Sequence, residues 1–97
     1  MASPATIGTT PILVVGKNFR RAKLYLQNEG VTTLYFKRQL THLIDNPFST
    51  NYDFAIEPMA TGGANAIPRE YVSIDPLMVV SSAAAGILAF YETKYTW

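Results

Sequence analysis

Hydrophobic and polar positions alternate along much of this chain, most clearly through residues 20–38, RRAKLYLQNEGVTTLYFKR. Leu24 and Leu26 alternate with Lys23, Tyr25 and Gln27, and Leu34 and Phe36 alternate with Thr33, Tyr35 and Lys37. Side chains on a strand point to opposite faces with period two, so each run reads as a β-strand with one apolar face. Between them, Asn28-Glu29-Gly30-Val31-Thr32 is polar, carries a glycine and reads as a turn. The pattern predicts an antiparallel hairpin with Leu24 opposite Phe36 and Leu26 opposite Leu34. A one-residue slip would turn one apolar set outward, which specifies that register.

The remaining elements follow from the same signals. Residues 1–10 are small and polar with Pro4 and Gly8, and read as a flexible arm that reaches ~33 Å when extended. The alternative for such a stretch is a frayed terminus. Residues 11–97 read as a single β domain. Residues 12–15, ILVV, form a short strand stopped by Gly16. Residues 39–51 hold a helical turn or a long loop, with a turn signal at Asp45-Asn46-Pro47. Tyr52, Phe54 and Ile56 mark a half-buried strand, residues 71–75 another, and residues 61–65 a mobile loop. The apolar runs 77–80 and 87–91 predict a closing hairpin turned by residues 81–86. About seven strands, several at 8–12-residue spacing, indicate a compact antiparallel β-sandwich or barrel. A helix through residues 77–90 is the competitor. Val79 and Val80 favour strands, and Gly86 mid-helix would cost ~1 kcal/mol.

Composition narrows the class. Ninety-seven residues make one domain, and apolar residues at 48% with charged residues at 15% describe an ordered chain with few surface charges. Twelve aromatic residues (five Phe, six Tyr, one Trp) in so uncharged a chain imply apolar surface that meets a partner. A net charge of +1 supplies no field for nucleic acid or an anionic membrane. No cysteine is present, so disulfides and thiolate metal sites are excluded. The start of the chain has no basic cluster and no apolar run of a signal peptide. The uncharged stretch 77–91 is shorter than the ~20 residues of a spanning helix and reads as two buried strands.

Catalytic and ligand motifs are not evident. His42 is the single histidine and has no nucleophile or orienting acid in any recognisable arrangement around it. A zinc site would rest on His42 and carboxylates alone, an uncommon set. Gly16-Lys17 lacks both the earlier glycine and the following Ser or Thr of a phosphate loop. The expectation is a protein without enzymatic activity, cofactor or metal. Basic residues are less evenly spread: Lys17, Arg20, Arg21, Lys23, Lys37 and Arg38 are six of the eight Lys and Arg, all at the open end of the expected hairpin. There Lys23 would face Lys37, a destabilising pair unless the side chains splay into water or an acid such as Asp53 or Glu57 lies between them. The functional alternative is a landing site for carboxylates of another protein. Tyr25 and Tyr35 share the outward face as an interface anchor or a cross-strand pair. The candidate partner-binding set is therefore Arg20, Arg21, Lys23, Tyr25, Tyr35, Lys37 and Arg38, with Trp97 in the tail.

The run Phe19-Arg20-Arg21-Ala22-Lys23-Leu24-Tyr25-Leu26-Gln27-Asn28-Glu29-Gly30, followed by Leu34-Tyr35-Phe36, resembles small virion proteins of tailed bacteriophages. In that group a basic pair leads into a strand ending in Gln-Asn and a glycine-bearing turn, and then a strand with a central tyrosine. Tyr52-Asp53-Phe54-Ala55-Ile56 and a closing segment ending in Phe90-Tyr91-Glu92 extend the likeness over residues 19–92. The chain is similar to head decoration, or cement, proteins and related head-fibre components. The long 39–51 segment departs from the pattern. The resemblance implies a β-sandwich or jelly-roll module on the outer capsid surface of the virion, made in the host cytoplasm. It also implies binding to the major capsid protein and to itself as a trimer or dimer. Nucleic acid and membrane are not expected partners, and the group has no catalytic residues to carry over. The alternatives are a fibre or tail module that binds a host-surface glycan through Tyr71, Tyr91, Tyr95 or Trp97, and an adaptor domain recruited through its sheet edge.

Overall fold

Period-two alternation becomes eight β-strands in the computed structural model, which describes residues 5–40, 46–58 and 69–95. They are β1 (Ala5–Ile7), β2 (Ile12–Val15), β3 (Arg21–Asn28), β4 (Leu34–Arg38), β5 (Phe54–Ile56), β6 (Arg69–Tyr71), β7 (Leu77–Ser81) and β8 (Gly86–Lys94). No helix occurs among the described residues, and none there is long and apolar enough to cross a membrane. Two four-stranded antiparallel sheets form, ordered β1-β8-β3-β6 and β2-β7-β4-β5. The pairs β1·β8, β2·β7, β3·β6 and β4·β5 are nested, each joining strands equally far from the two ends of the series. Two further ladders, β3·β8 and β4·β7, close the sheets.

The apolar faces meet between the sheets. Ile7, Leu24, Leu26, Tyr71 and Leu88 from the first pack with Leu34, Phe36, Ile56, Leu77 and Val79 from the second in one core. Leu24, Leu26, Leu34 and Phe36 are fully buried, as their alternation predicts. Their arrangement differs from the predicted hairpin. β3 and β4 lie in different sheets and do not pair, so Leu24 and Leu26 face Leu34 and Phe36 across the core. The closing hairpin is overturned in the same way, because β7 and β8 also belong to opposite sheets. Alternation fixes which side chains share a face; it leaves open whether two such faces lie side by side or stack.

Both crossings are arches with their own hydrogen bonds. Asn28 is fully buried, and its Nδ2 donates to Thr32 O at 2.7 Å and across the core to Ile56 O at 2.9 Å. Its Oδ1 accepts the Gly30 N–H at 3.0 Å. A buried amide with these partners ties both ends of the arch together and joins it to the facing sheet. The second crossing places Ala85 in the left-handed region (φ 66°) before Gly86. The two arches touch: Thr32 Oγ1 and Ser81 Oγ lie 2.6 Å apart, and Ser82 N donates to Thr33 O at 2.9 Å. A Cβ on Gly86 would sit 2.7 Å from Ser81 Oγ and 2.9 Å from Thr32 Oγ1, so only glycine leaves that hydroxyl pair in place.

Three other expectations change. Ala5–Ile7, inside the stretch read as an arm, forms β1 against β8, and Ile7 is buried in the core; this is the eighth strand. The strand expected at 71–75 is instead β6, Arg69–Tyr71. The carbonyls of Ser73, Ile74 and Asp75 are engaged by Arg21 and Asn18, which draws that segment out of the ladder. All of β7 is buried, consistent with its unbroken apolar run. Phe48 and Ser49 from the β4–β5 connection line a hollow with Tyr35 and Val80 on the outer side of this sheet. The predicted loop at 61–65, residues 1–4 and residues 41–45 around His42 lie outside the described residues.

Asn28→Ala strips partners from three backbone groups, and each buried orphan costs ~1–3 kcal/mol. Urea denaturation is expected to show a loss of at least ~2 kcal/mol for Asn28→Ala, against less than ~0.5 kcal/mol for the exposed neighbour Glu29→Ala. Equal stabilities would contradict the arch.

Candidate functional site

Antiparallel pairing brings the start of β3 and the ends of β2, β4, β6 and β8 to one end of the two-sheet body. Lys17, Arg20, Arg21, Lys23, Lys37, Arg38 and Lys94 gather there, seven of the eight Lys and Arg. The clustering inferred from the sequence is therefore real, but the roles of its members differ.

Arg21 is removed from the surface. Its side chain is 1% exposed, with Nε donating to Ser73 O (2.9 Å), Nη1 to Gly16 O (3.1 Å) and Nη2 to Asp75 O (2.7 Å). Nη1 also meets Glu92 Oε2 at 3.3 Å. A guanidinium with its fork so occupied holds two loops together and offers no donor face to a partner. Its expected partner-binding role is corrected to a clamp. The Lys23–Lys37 like-charge pair also does not form, because the two strands lie in opposite sheets. Lys23 Nζ bonds Glu70 Oε1 at 3.3 Å, and that hydrogen bond and the charge of Glu70 hold the ammonium above its usual pKa. Lys37 lies 3.7 Å from Asp53, the intervening acid weighed from the sequence. Arg38 Nε stands 3.8 Å from Asp75, and its backbone N–H donates to Asp53 Oδ2 at 2.7 Å.

The two tyrosines separate as well. Tyr25 stacks on Tyr91 with centroids 4.8 Å apart, on the outer face of the β1-β8-β3-β6 sheet. Tyr35 packs at 5.0 Å on Tyr52, outside the other sheet. The anticipated Tyr25–Tyr35 pair is thus replaced by two pairs on opposite faces. Trp97 lies outside the described residues.

Between the β5 and β6 edges, Arg38, Leu40, Asp53, Phe54, Arg69, Glu70, Tyr71 and Val72 line a hollow. Arg69 lies over the Phe54 ring at 4.5 Å, and Phe54 stacks on Phe36 at 4.9 Å. Tyr71 is 8% exposed, and its hydroxyl donates to Asp75 O at 3.3 Å. Burial, the largest influence, raises its phenol above the ordinary 10.0. A tyrosine so enclosed is no stacking platform for a sugar, which removes it from the glycan set. Among the described residues no group of three or more His, Cys, Asp or Glu is arranged to hold a metal ion.

Phe19 stands outside the candidate set drawn from the sequence. It is 70% exposed, with Lys17 Nζ 5.3 Å from the ring centroid. Beside it Arg20 donates from Nη2 to Tyr95 O at 3.2 Å, and Tyr95 is half exposed. The available signal is an aromatic between two cations, Lys17-Asn18-Phe19-Arg20, in the connection between β2 and β3. The arrangement is suited to non-covalent recognition through aromatic area and cationic donors. The class defined by fold and surface is an all-β protein of two four-stranded antiparallel sheets. Comparison with protein-family models, curated proteins and solved structures finds no match to this chain.

Arg21→Ala is expected to destabilise the chain by about 3 kcal/mol, because it abandons buried carbonyls and a carboxylate. Arg20→Ala, one position earlier and exposed, should change stability by less than ~0.5 kcal/mol in the same denaturation assay. A second test concerns pH. The folded-state pKa of Tyr71 is raised, so its contribution is complete below the unfolded value of 10.0 and is lost as pH rises through the folded value. Stability should therefore fall above pH 10.0, and Tyr71→Phe should flatten that fall; parallel alkaline curves would contradict it.

Proposed function

We propose that this chain is a structural virion protein that binds the outer surface of an assembled phage shell and stabilises it, and that its fold is a jelly roll. The observation that carries the reading is the strand order. Nested pairs β1·β8, β2·β7, β3·β6 and β4·β5, split between two four-stranded sheets, are what an eight-stranded antiparallel ribbon gives when rolled on itself. Eight-stranded double-sheet jelly rolls serve viral capsid and lectin domains and also cupins. Fold does not by itself assign function, and the choice among these rests on the resemblance of residues 19–92 to decoration proteins.

Surface chemistry supports a binding role. Ile12, Leu13, Phe19, Leu40 and Val72 are among the large apolar residues left exposed on a chain with few charges. A cement protein needs a rigid body that engages several shell subunits at once. A dimer or trimer achieves that with weak individual contacts through avidity. The partners on this reading are the major capsid protein and further copies of the chain.

The glycan-binding reading keeps one specific observation, the stacked Tyr25–Tyr91 pair with Tyr91 44% exposed on an open sheet face. A glycan array separates it from the shell reading. Heads assembled without this chain should melt, or rupture under internal pressure, at lower temperature or load than heads carrying it. Coincident melting transitions in a calorimetric comparison would contradict the cement role.

A further inference from the structure

We infer that the tip formed by Lys17, Phe19 and Arg20 is the docking face of this protein, and that it fits a protein surface with carboxylates around an apolar depression. The inference rests on the shell-binding reading and names the part of the chain that would make the contact.

Charge complementarity carries it. At this end each of the other five cations has a carboxylate within 4.0 Å: Arg21 and Lys94 share Glu92, Lys23 has Glu70, Lys37 has Asp53 and Arg38 has Asp75. Lys17 and Arg20 have none among the described residues, so two of the three positive charges in excess of these carboxylates flank Phe19, and the third is spread over the Arg21–Glu92–Lys94 group. A partner that supplies carboxylates completes the pairing, and the strongest such contacts are charge-assisted hydrogen bonds from Arg. The opposite end differs. There Val31 is exposed at the β3–β4 arch beside Glu29, with Glu57 bonded to Thr33 at 3.2 Å, so an acidic surface would be repelled.

The presentation of the ring is the second observation. A single exposed apolar residue is ordinary, but this one is held rigidly. Asn18 N donates to Ile74 O at 2.9 Å, Asn18 Oδ1 accepts the Arg20 N–H at 3.0 Å, and Asn18 O accepts the Arg21 N–H at 3.2 Å. Beneath them the buried Arg21 guanidinium grips Gly16 O. Phe19 therefore stands outward on a loop whose ordering cost is met on folding, which is the property of an interface anchor.

The test is co-sedimentation of the full chain with phage heads assembled without it, at about 0.05 and 0.5 M salt. Wild type should bind, more weakly at the higher salt. Phe19→Ala should weaken binding by about tenfold or more, and the double reversal Lys17→Glu/Arg20→Glu should lose both binding and its salt dependence. Tyr91→Ser and Val31→Ser, on other surfaces, should bind within about twofold of wild type. Thermal melts coincident with wild type establish that each variant is folded, and Arg20→Gln serves as a milder charge variant if the double reversal melts early. Wild-type binding that survives all tip variants overturns the tip and leaves the shell reading standing. Failure of wild type to bind overturns both. Tip-dependent binding to phosphatidylserine vesicles or to DNA, with none to heads, would show the carboxylate partner to be wrong.

Discussion

The two-sheet body depends on the contact between its arches. The chain crosses from one sheet to the other at residues 29–33 and again at residues 82–85, and the crossings meet through the Thr32–Ser81 hydroxyl pair 2.6 Å apart. Neither arch satisfies its backbone alone. Asn28 supplies the first with a turn and reaches Ile56 in the facing sheet, while Ser82 Oγ accepts the Thr33 N–H and Ser82 N–H donates to Thr33 O. Buried polar groups at such a corner rigidify when fully satisfied, and here no buried side-chain N or O of the described residues is left without a partner. The nested ladder follows. Once β3 and β7 are handed to opposite sheets, β4 and β8 must pair inward, and the short outer strands take the edges.

The other end is held by different chemistry. A single buried guanidinium gathers the carbonyls of Gly16, Ser73 and Asp75, and so ties the β2–β3 loop to the β6–β7 loop. One end is therefore closed by neutral amide and hydroxyl bonds with exposed acids around it, and the other by a cation among mixed charges. That asymmetry gives the body a direction, with most of the cations and the exposed Phe19 ring at the end where the arginine sits. Loops ordered by the scaffold beneath them are where recognition surfaces reside on such folds.

Much of the fold was legible because burial on a strand writes itself as period two. Leu24, Leu26, Leu34 and Phe36 are legible as the apolar faces of two strands, and the unbroken run in β7 as a buried strand. Strand partners were not legible. A five-residue turn serves a hairpin or an arch, and the deciding group is the Asn28 amide, which looks like any turn asparagine in the sequence. β1 was missed because Ala5 and Thr6 carry little apolar signal and, of its three residues, only Ile7 is fully buried. β6 was displaced because its inner positions are Arg69 and Tyr71, where a guanidinium over Phe54 takes the place of an aliphatic side chain. The basic cluster was legible as a cluster. Its division into one clamp, several internal ion pairs and two cations with no acid near them among the described residues was not, since it is set by which acids the folded sheets bring near.

The most direct test of the crossed arrangement is a map of interstrand backbone contacts by NMR nuclear Overhauser effects on the labelled chain. The structure predicts cross-strand contacts from Tyr25 to Tyr91 and from Tyr35 to Val80, with none between the Tyr25 and Tyr35 backbones. Backbone contacts joining Leu24 to Phe36 and Leu26 to Leu34 would place β3 and β4 in one sheet and contradict the account.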